Sequence, residues 1–225
     1  MINYDMSPDE LSFLSIMQCD RDGRDNHHRI IRLYSLMTSL GVFPNKNVYD
    51  LILSALAKLS DQSEKTVQAA ESILNRMIKE NVTLSPKNFN SLFLLIKKTV
   101  SHKSFSHGLI DSLVEKSQLL YREMTVTYGL LPDIMTLNTL LQIHRQSSLP
   151  SATIQMDNIF QDIIQLNNNN NFKDKQKNIE KRAIFDLRIL QDIKLLWISC
   201  RNHNKTQADQ KITEIDYLAS QLEIQ

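Results

Sequence analysis

This 225-residue sequence is poor in the residues that reverse a chain or cross-link it. Four glycines and five prolines are too few for an architecture built on many tight hairpins. Helical periodicity takes their place throughout, so an all-α protein is expected. The two cysteines, Cys19 and Cys200, lie far apart, with no CxxC pair and no secretory apolar segment. A disulfide framework is therefore excluded, and two buried thiols in a reducing compartment are expected. The longest uninterrupted apolar run, Leu92 to Ile96, is far short of the ~20 residues of a membrane span, so no membrane insertion is expected. No Lys or Arg precedes Arg21, and Asp5, Asp9 and Glu10 lie before it, so no targeting peptide is visible. Charge of either sign is not in excess: 26 basic against 25 acidic residues leave +1. That balance gives no electrostatic case for bulk nucleic-acid binding.

Recognisable reaction chemistry is missing too. There is no HExxH, no Gly-rich phosphate loop, no GxSxG elbow and no paired-Cys metal spacing,. Asp20-Arg21-Asp22-Gly23 resembles part of a calcium loop. With Gly23 as the turn glycine, however, Gln18 and Arg29 fall where acidic ligands are needed,. His27-His28 and the His102/His107 pair read as exposed histidines, and His144 as a satisfied core histidine. No catalytic centre, no metal and no cofactor are expected, and the chain is not read as an enzyme.

What is present is a recurring phrase. Gly129 to Arg145, GLLPDIMTLNTLLQIHR, joins a helix stop to a Pro-Asp junction and then to a new helix; Gly41 to Lys58, GVFPNKNVYDLILSALAK, repeats it. Fainter copies run from Asp5 to Met17, Asn81 to Lys98 and Ala183 to Trp197. A hydrophobic anchor follows each junction proline, or its substitute, by five positions: Pro8/Phe13, Pro44/Tyr49, Leu84/Phe89, Pro132/Leu137 and Phe185/Leu190. The anchor and the positions three, four and seven further on share one helix face. Over five copies, 17 of those 20 positions are apolar, where the 42% hydrophobic content predicts about eight. Exceptions are Asp20, His144 and Lys194. A second helix follows in each unit, with Ile30, Leu33, Tyr34 and Met37 as the first such set and Ile73, Leu74 and Met77 in the next. One hairpin of this kind cannot bury both apolar faces, whereas stacked neighbours can.

The expected units are about 10–45, 46–85, 86–133, 134–186 and 187–225. Anchor separations of 36, 40, 48 and 53 residues place the excess length in loops, where closure entropy grows slowly. An Asn-rich insertion at 167–176 is expected to be flexible. No polar capping helix precedes Ser7-Pro8-Asp9, so the expectation is that either the chain is part of a longer array or Met1 is not its natural start.

The P-[DN]-x₃-anchor phrase, with the second-helix Met and helix-terminal Gly, resembles the pentatricopeptide repeat (PPR) family over nearly the whole chain. The resemblance implies a right-handed α-solenoid of about five helix-turn-helix repeats, about ten helices, with first helices lining a concave face. It implies a non-catalytic single-stranded RNA-binding protein acting in organellar RNA processing, stability or translation, in a mitochondrion or plastid. The alternative is a protein-interaction solenoid within a larger organellar assembly, its RNA-reading positions decayed. In the family each repeat faces one base, read by the residue after the anchor and by the last residue of the repeat. Carried over, the pairs are Leu14 with Asn45, Asp50 with Ser85, Asn90 with Asp133, and Asn138 with Asp186. The last two resemble the combination associated with uracil. Lys58, Lys97, Lys98 and Arg145, near the ends of first helices, are the positions implied to meet RNA phosphates.

Overall fold

The computed structural model describes residues 8–20, 27–59, 63–101, 105–147 and 205–223, with 155, 158–159, 161–162, 191, 194–195 and 197–198 between them. The Asn-rich insertion at 167–176 and Asp186 lie outside the described residues. Contacts group the chain into two compact units, Met1–Thr99 and Val100–Gln225. Among the described residues every regular element is helical.

The first unit holds α1 (Glu10–Asp20), α2 (His27–Ser39), α3 (Lys46–Lys58), α4 (Glu64–Lys79) and α5 (Pro86–Val100), whose last residue crosses the boundary. Helices α3 and α4 start where the sequence offers a cap. Asn45 accepts from the Val48 amide at 3.0 Å, and Ser63 faces Thr66 at the head of α4. These bonds satisfy amide groups that a helix N-terminus otherwise leaves unpaired. Helix α2 and helix α4 end alike. The Val42 N–H donates to the Met37 carbonyl at 3.1 Å, and Val82 N–H to Met77 at 2.9 Å. In both, the chain turns through a left-handed residue, Gly41 (φ 72°) and Asn81 (φ 54°), the glycine-type helix stop. Helix α1 packs on α2, α2 on α3, α3 on α4, and α1 also on α3. The first helices α1 and α3 thus lie side by side, with α2 and α4 against them.

The core follows the anchor pattern. Phe13 and Met17 of α1, Tyr49, Ile52, Leu53 and Leu56 of α3, and Phe89, Leu92, Phe93 and Ile96 of α5 are all buried. Ile30, Met37, Ala70, Leu74 and Met77 supply the second-helix side, while Leu33, Tyr34 and Ile73 are only half-buried. Ile16 was expected inside but is 43% exposed. Among the described residues the main neighbours of α1 are α2 and α3, which bury Phe13 and Met17 and leave Ile16 outside. Cys19, expected to be buried, is exposed as well; Cys200 lies outside the described residues. Asp20 takes its predicted apolar slot as a buried carboxylate, with Arg29 Nε 3.1 Å away.

The second unit holds α6 (His107–Arg122), a π-helical segment (Glu123–Thr127), α7 (Ile134–His144) and α8 (Lys205–Glu223). Helix α6 packs on α7. The π segment has a sequence cause. Four residues separate Met37 from Gly41 and Met77 from Asn81, but five separate Met124 from Gly129. One extra residue in a helix is accommodated as a π-bulge. Met124 stays fully buried, Gly129 keeps φ 60°, and the Leu130 N–H still donates to the Met124 carbonyl at 2.9 Å. In α7, Leu137, Leu140, Leu141 and His144 are all buried, as is Trp197.

Candidate nucleic-acid interface

A helix turns about 100° per residue, so the residue after a core-facing anchor sits at the edge of the buried stripe. That geometry recurs three times. Tyr49, Phe89 and Leu137 have no exposed surface, while Asp50, Asn90 and Asn138 beside them are half-buried. Leu14, the matching residue of the first unit, leaves this set. It is buried with Phe13 and Met17, and its side chain has no hydrogen-bonding atom.

The partner positions turn out to be helix N-caps. Asn45 caps α3 through its side-chain oxygen. Asp133 caps α7 in a reciprocal box: Asp133 Oδ1 accepts from the Thr136 amide at 2.7 Å, and the Asp133 N–H donates to Thr136 Oγ1 at 3.3 Å. Ser85 precedes α5 and donates through its N–H and its hydroxyl to Asn88 Oδ1, both at 2.8 Å. Capping holds each of these residues in one orientation at the start of a first helix. Asp186, the fourth partner position, is outside the described residues.

Sequence reasoning missed Asn88. It is buried, and its Nδ2 donates to Asp50 Oδ1 at 2.6 Å while its Oδ1 takes both Ser85 donors. One amide thereby joins Asp50 and Ser85, which the family resemblance had paired. The signal was present in part: Ser85-Pro86-Lys87-Asn88 is a capping box with Asn where Glu or Gln usually stands. Nothing local, however, points from Asn88 to a residue 38 positions earlier. In α7, Gln142 Nε2 donates to Asn138 Oδ1 at 3.3 Å.

The basic residues divide. Lys58 and Arg145 are exposed at the ends of α3 and α7, and Lys97 is half-buried in the last turn of α5. Lys98 is turned inward, its Nζ donating to the Ala57 carbonyl at 2.5 Å. Burial, with Lys97 alongside, lowers its pKa. It thereby supplies a donor to a carbonyl in the last turn of α3.

Behind α3, the Tyr49 hydroxyl donates to Glu80 Oε2 at 2.6 Å, Arg76 Nε donates to Glu80 Oε1 at 2.7 Å, and Arg76 Nη1 to the Tyr34 hydroxyl at 3.4 Å. Burial, and then the bond to Glu80, raise the Tyr49 pKa well above the ordinary phenol value. In the second unit, Gln118, Tyr121, Leu140, His144, Ile159 and Asp162 border a cavity of about 40 Å³. The Tyr121 hydroxyl donates to Asp162 Oδ2 at 2.8 Å. Among the described residues no group of three His, Cys, Asp or Glu side chains is placed to hold a metal, and no helix is long and apolar enough to cross a membrane.

No family model matches the sequence, and no curated protein matches it. Among solved structures, the chain is similar to the PPR domain of Arabidopsis thaliana protein-only RNase P 1, determined in complex with tRNA. The TM-score is 0.56 at 12% identity, over 92% of this chain and 90% of that one.

Proposed function

From the all-α pentatricopeptide-repeat fold of this chain, we propose a non-catalytic RNA-binding repeat protein that holds a short single-stranded segment. One observation carries the reading. After each of three fully buried anchors comes a half-exposed polar residue, Asp50, Asn90 or Asn138, at the same helical register. An amide there donates and accepts, which suits a pyrimidine edge. Asn90 and Asn138 accordingly favour uridine. Lys58, Lys97 and Arg145 meet phosphates. The similar solved domain was crystallised with an RNA, which supports the same class of ligand. A role in processing, stability or translation of RNA in a mitochondrion or plastid is part of the proposal.

A second reading, a protein-binding solenoid, has its own observation. Phe43 and Leu131, each just before a junction proline, are 76% and 78% exposed, and exposed aromatic and aliphatic side chains suit protein contacts.

Anisotropy titrations of oligo-U and oligo-A at low salt separate the two. RNA binding predicts a preference for oligo-U that Asn90→Ala with Asn138→Ala reduces while helicity is retained. Replacing Lys58, Lys97 and Arg145 by Gln should weaken both oligomers alike and flatten the salt dependence by about 0.7 per lost contact. Absence of binding to either oligomer, by a folded chain, leaves the protein-binding reading.

A further inference from the structure

The second repeat, 46–85, differs from those bearing Asn90 and Asn138, because its outward position holds a carboxylate fixed by a buried amide. Asn88 Oδ1 faces two donors, the Ser85 N–H and hydroxyl, both at 2.8 Å. That fixes which end of the amide is which, so Nδ2 must be the atom 2.6 Å from Asp50 Oδ1. Two consequences follow. Asp50 is held through Oδ1, and its second oxygen, Oδ2, accepts no hydrogen bond among the described residues. Ser85 has its hydroxyl hydrogen committed to Asn88, leaving only lone pairs on Oγ. Asp50 and Ser85 are both half-buried, so each retains an open edge. Every polar atom that this pair still offers is an acceptor.

We propose that Asn88, at the head of the third repeat, is a specificity-determining residue for the second, setting Asp50 and Ser85 as an acceptor-only pair that takes a base presenting amino hydrogens, guanine foremost, and rejects uracil. The proposal rests on the RNA-binding reading and names what one unit of that site selects. The chemistry is that of base edges. Guanine presents two adjacent donors, N1–H and the N2 amino group, for the two acceptors that remain, Asp50 Oδ2 and Ser85 Oγ. Adenine and cytosine each present one amino group beside a ring acceptor. Uracil presents a single N3–H between two carbonyl oxygens, and those oxygens repel a carboxylate. Asn90 and Asn138 instead carry amides, whose side chains include a donor as well as an acceptor. Asn88 itself touches no base. It acts by positioning Asp50 and by consuming the Ser85 hydrogen.

The test uses the 225-residue chain, a short oligouridine, and a set of the same length in which one uridine at a time is replaced by guanosine. At one position of the set, guanosine should tighten binding about tenfold, the ratio given by a well-formed contact to a base edge. Asp50→Asn is the decisive variant. Asn88 Nδ2 still donates to the new amide oxygen, so the link between α3 and α5 survives, but the outward atom becomes a donor. The guanosine preference should then be lost and uridine favoured at that position, with the melting temperature unchanged. Asn88→Thr keeps a capping side chain, as Thr136 does at α7, but cannot reach Asp50. It should relax the discrimination to within about threefold while overall RNA affinity persists. If oligomers bind but guanosine helps nowhere, or Asp50→Asn leaves the preference in place, the assignment of Asn88 and Asp50 is overturned while RNA binding stands. If no oligomer binds, the RNA-binding reading itself falls and this proposal with it.

Discussion

Replacing Tyr49 by Phe removes one oxygen from the best-defined polar cluster of the first unit and leaves the packed ring in place. The ring lies 6.3 Å from Tyr34, tilted by 58°, and neither that contact nor the burial of the ring depends on the hydroxyl. What is lost is a 2.6 Å bond to a carboxylate that Arg76 also holds at 2.7 Å. Hydrogen bonds to charged groups contribute about 1.5–3 kcal/mol net. The Glu80 side chain is 29% exposed, so water can replace the lost donor. The lower end, about 1.5 kcal/mol, is therefore expected. Trp197 belongs to the second unit, so its fluorescence would follow the wrong part of the chain. Urea unfolding by far-UV circular dichroism, with hydrogen exchange read at α3 amides, reports on the right one. A double-mutant cycle with Glu80→Gln isolates the pair and should return a coupling of about 1 kcal/mol. Burial alone would raise the Glu80 pKa, but the bonds from Arg76 and Tyr49 outweigh it and hold the carboxyl below its ordinary value. A depressed folded pKa means this stability is present above the unfolded carboxylate range and is lost as pH falls through the folded value. Additive effects in the cycle, or a Tyr49→Phe variant as stable as the parent, would refute the reasoning.

Two further predictions concern the second unit. His144 is buried, its Nδ1 2.8 Å from the Leu140 carbonyl and its Nε2 3.2 Å from Gln118 Nε2; that pattern is met by the tautomer protonated at Nδ1. Burial lowers its pKa, against the pull of the Leu140 bond. Stability is thus full above the ordinary histidine value and lost as pH falls below it. Thermal melts between neutral pH and about pH 5 should show a loss that His144→Gln diminishes. Asp162, Arg122 and Tyr121 border the same cavity and are kept unchanged in that comparison. Deleting Val126, which is 82% exposed in the π segment, should restore the four-residue spacing from Met to the helix stop. The deletion should change stability by less than about 1 kcal/mol, measured by urea denaturation. A larger loss would mean the extra residue is needed where it sits.

The elements legible in the sequence are those whose causes are close together along the chain. Anchor spacing fixed Tyr49, Phe89 and Leu137 as core, because a helix repeats every 3.6 residues whatever surrounds it. Asn45, Asp133, Gly41 and Gly129 marked helix boundaries, because capping bonds span about three to six residues. Even the π segment can be counted from Met124 to Gly129. Tertiary packing decided the rest. The helix pattern gave Ile16 and Met17 equal claims on the core, and only the positions of α2 and α3 buried one and exposed the other. Leu14 offered a side chain to a ligand by register but lies in the core. Lys98 matched Lys97 as a basic residue at a helix end, yet it reaches Ala57, 41 residues earlier. Asn88 looked like a local cap, and the partner that gives it a wider role is Asp50, on another helix. Local hydrogen bonds and periodicity are set by neighbours in sequence. Which polar side chain meets which across two helices depends on the distance and rotation at which those helices pack, and the local sequence does not specify these.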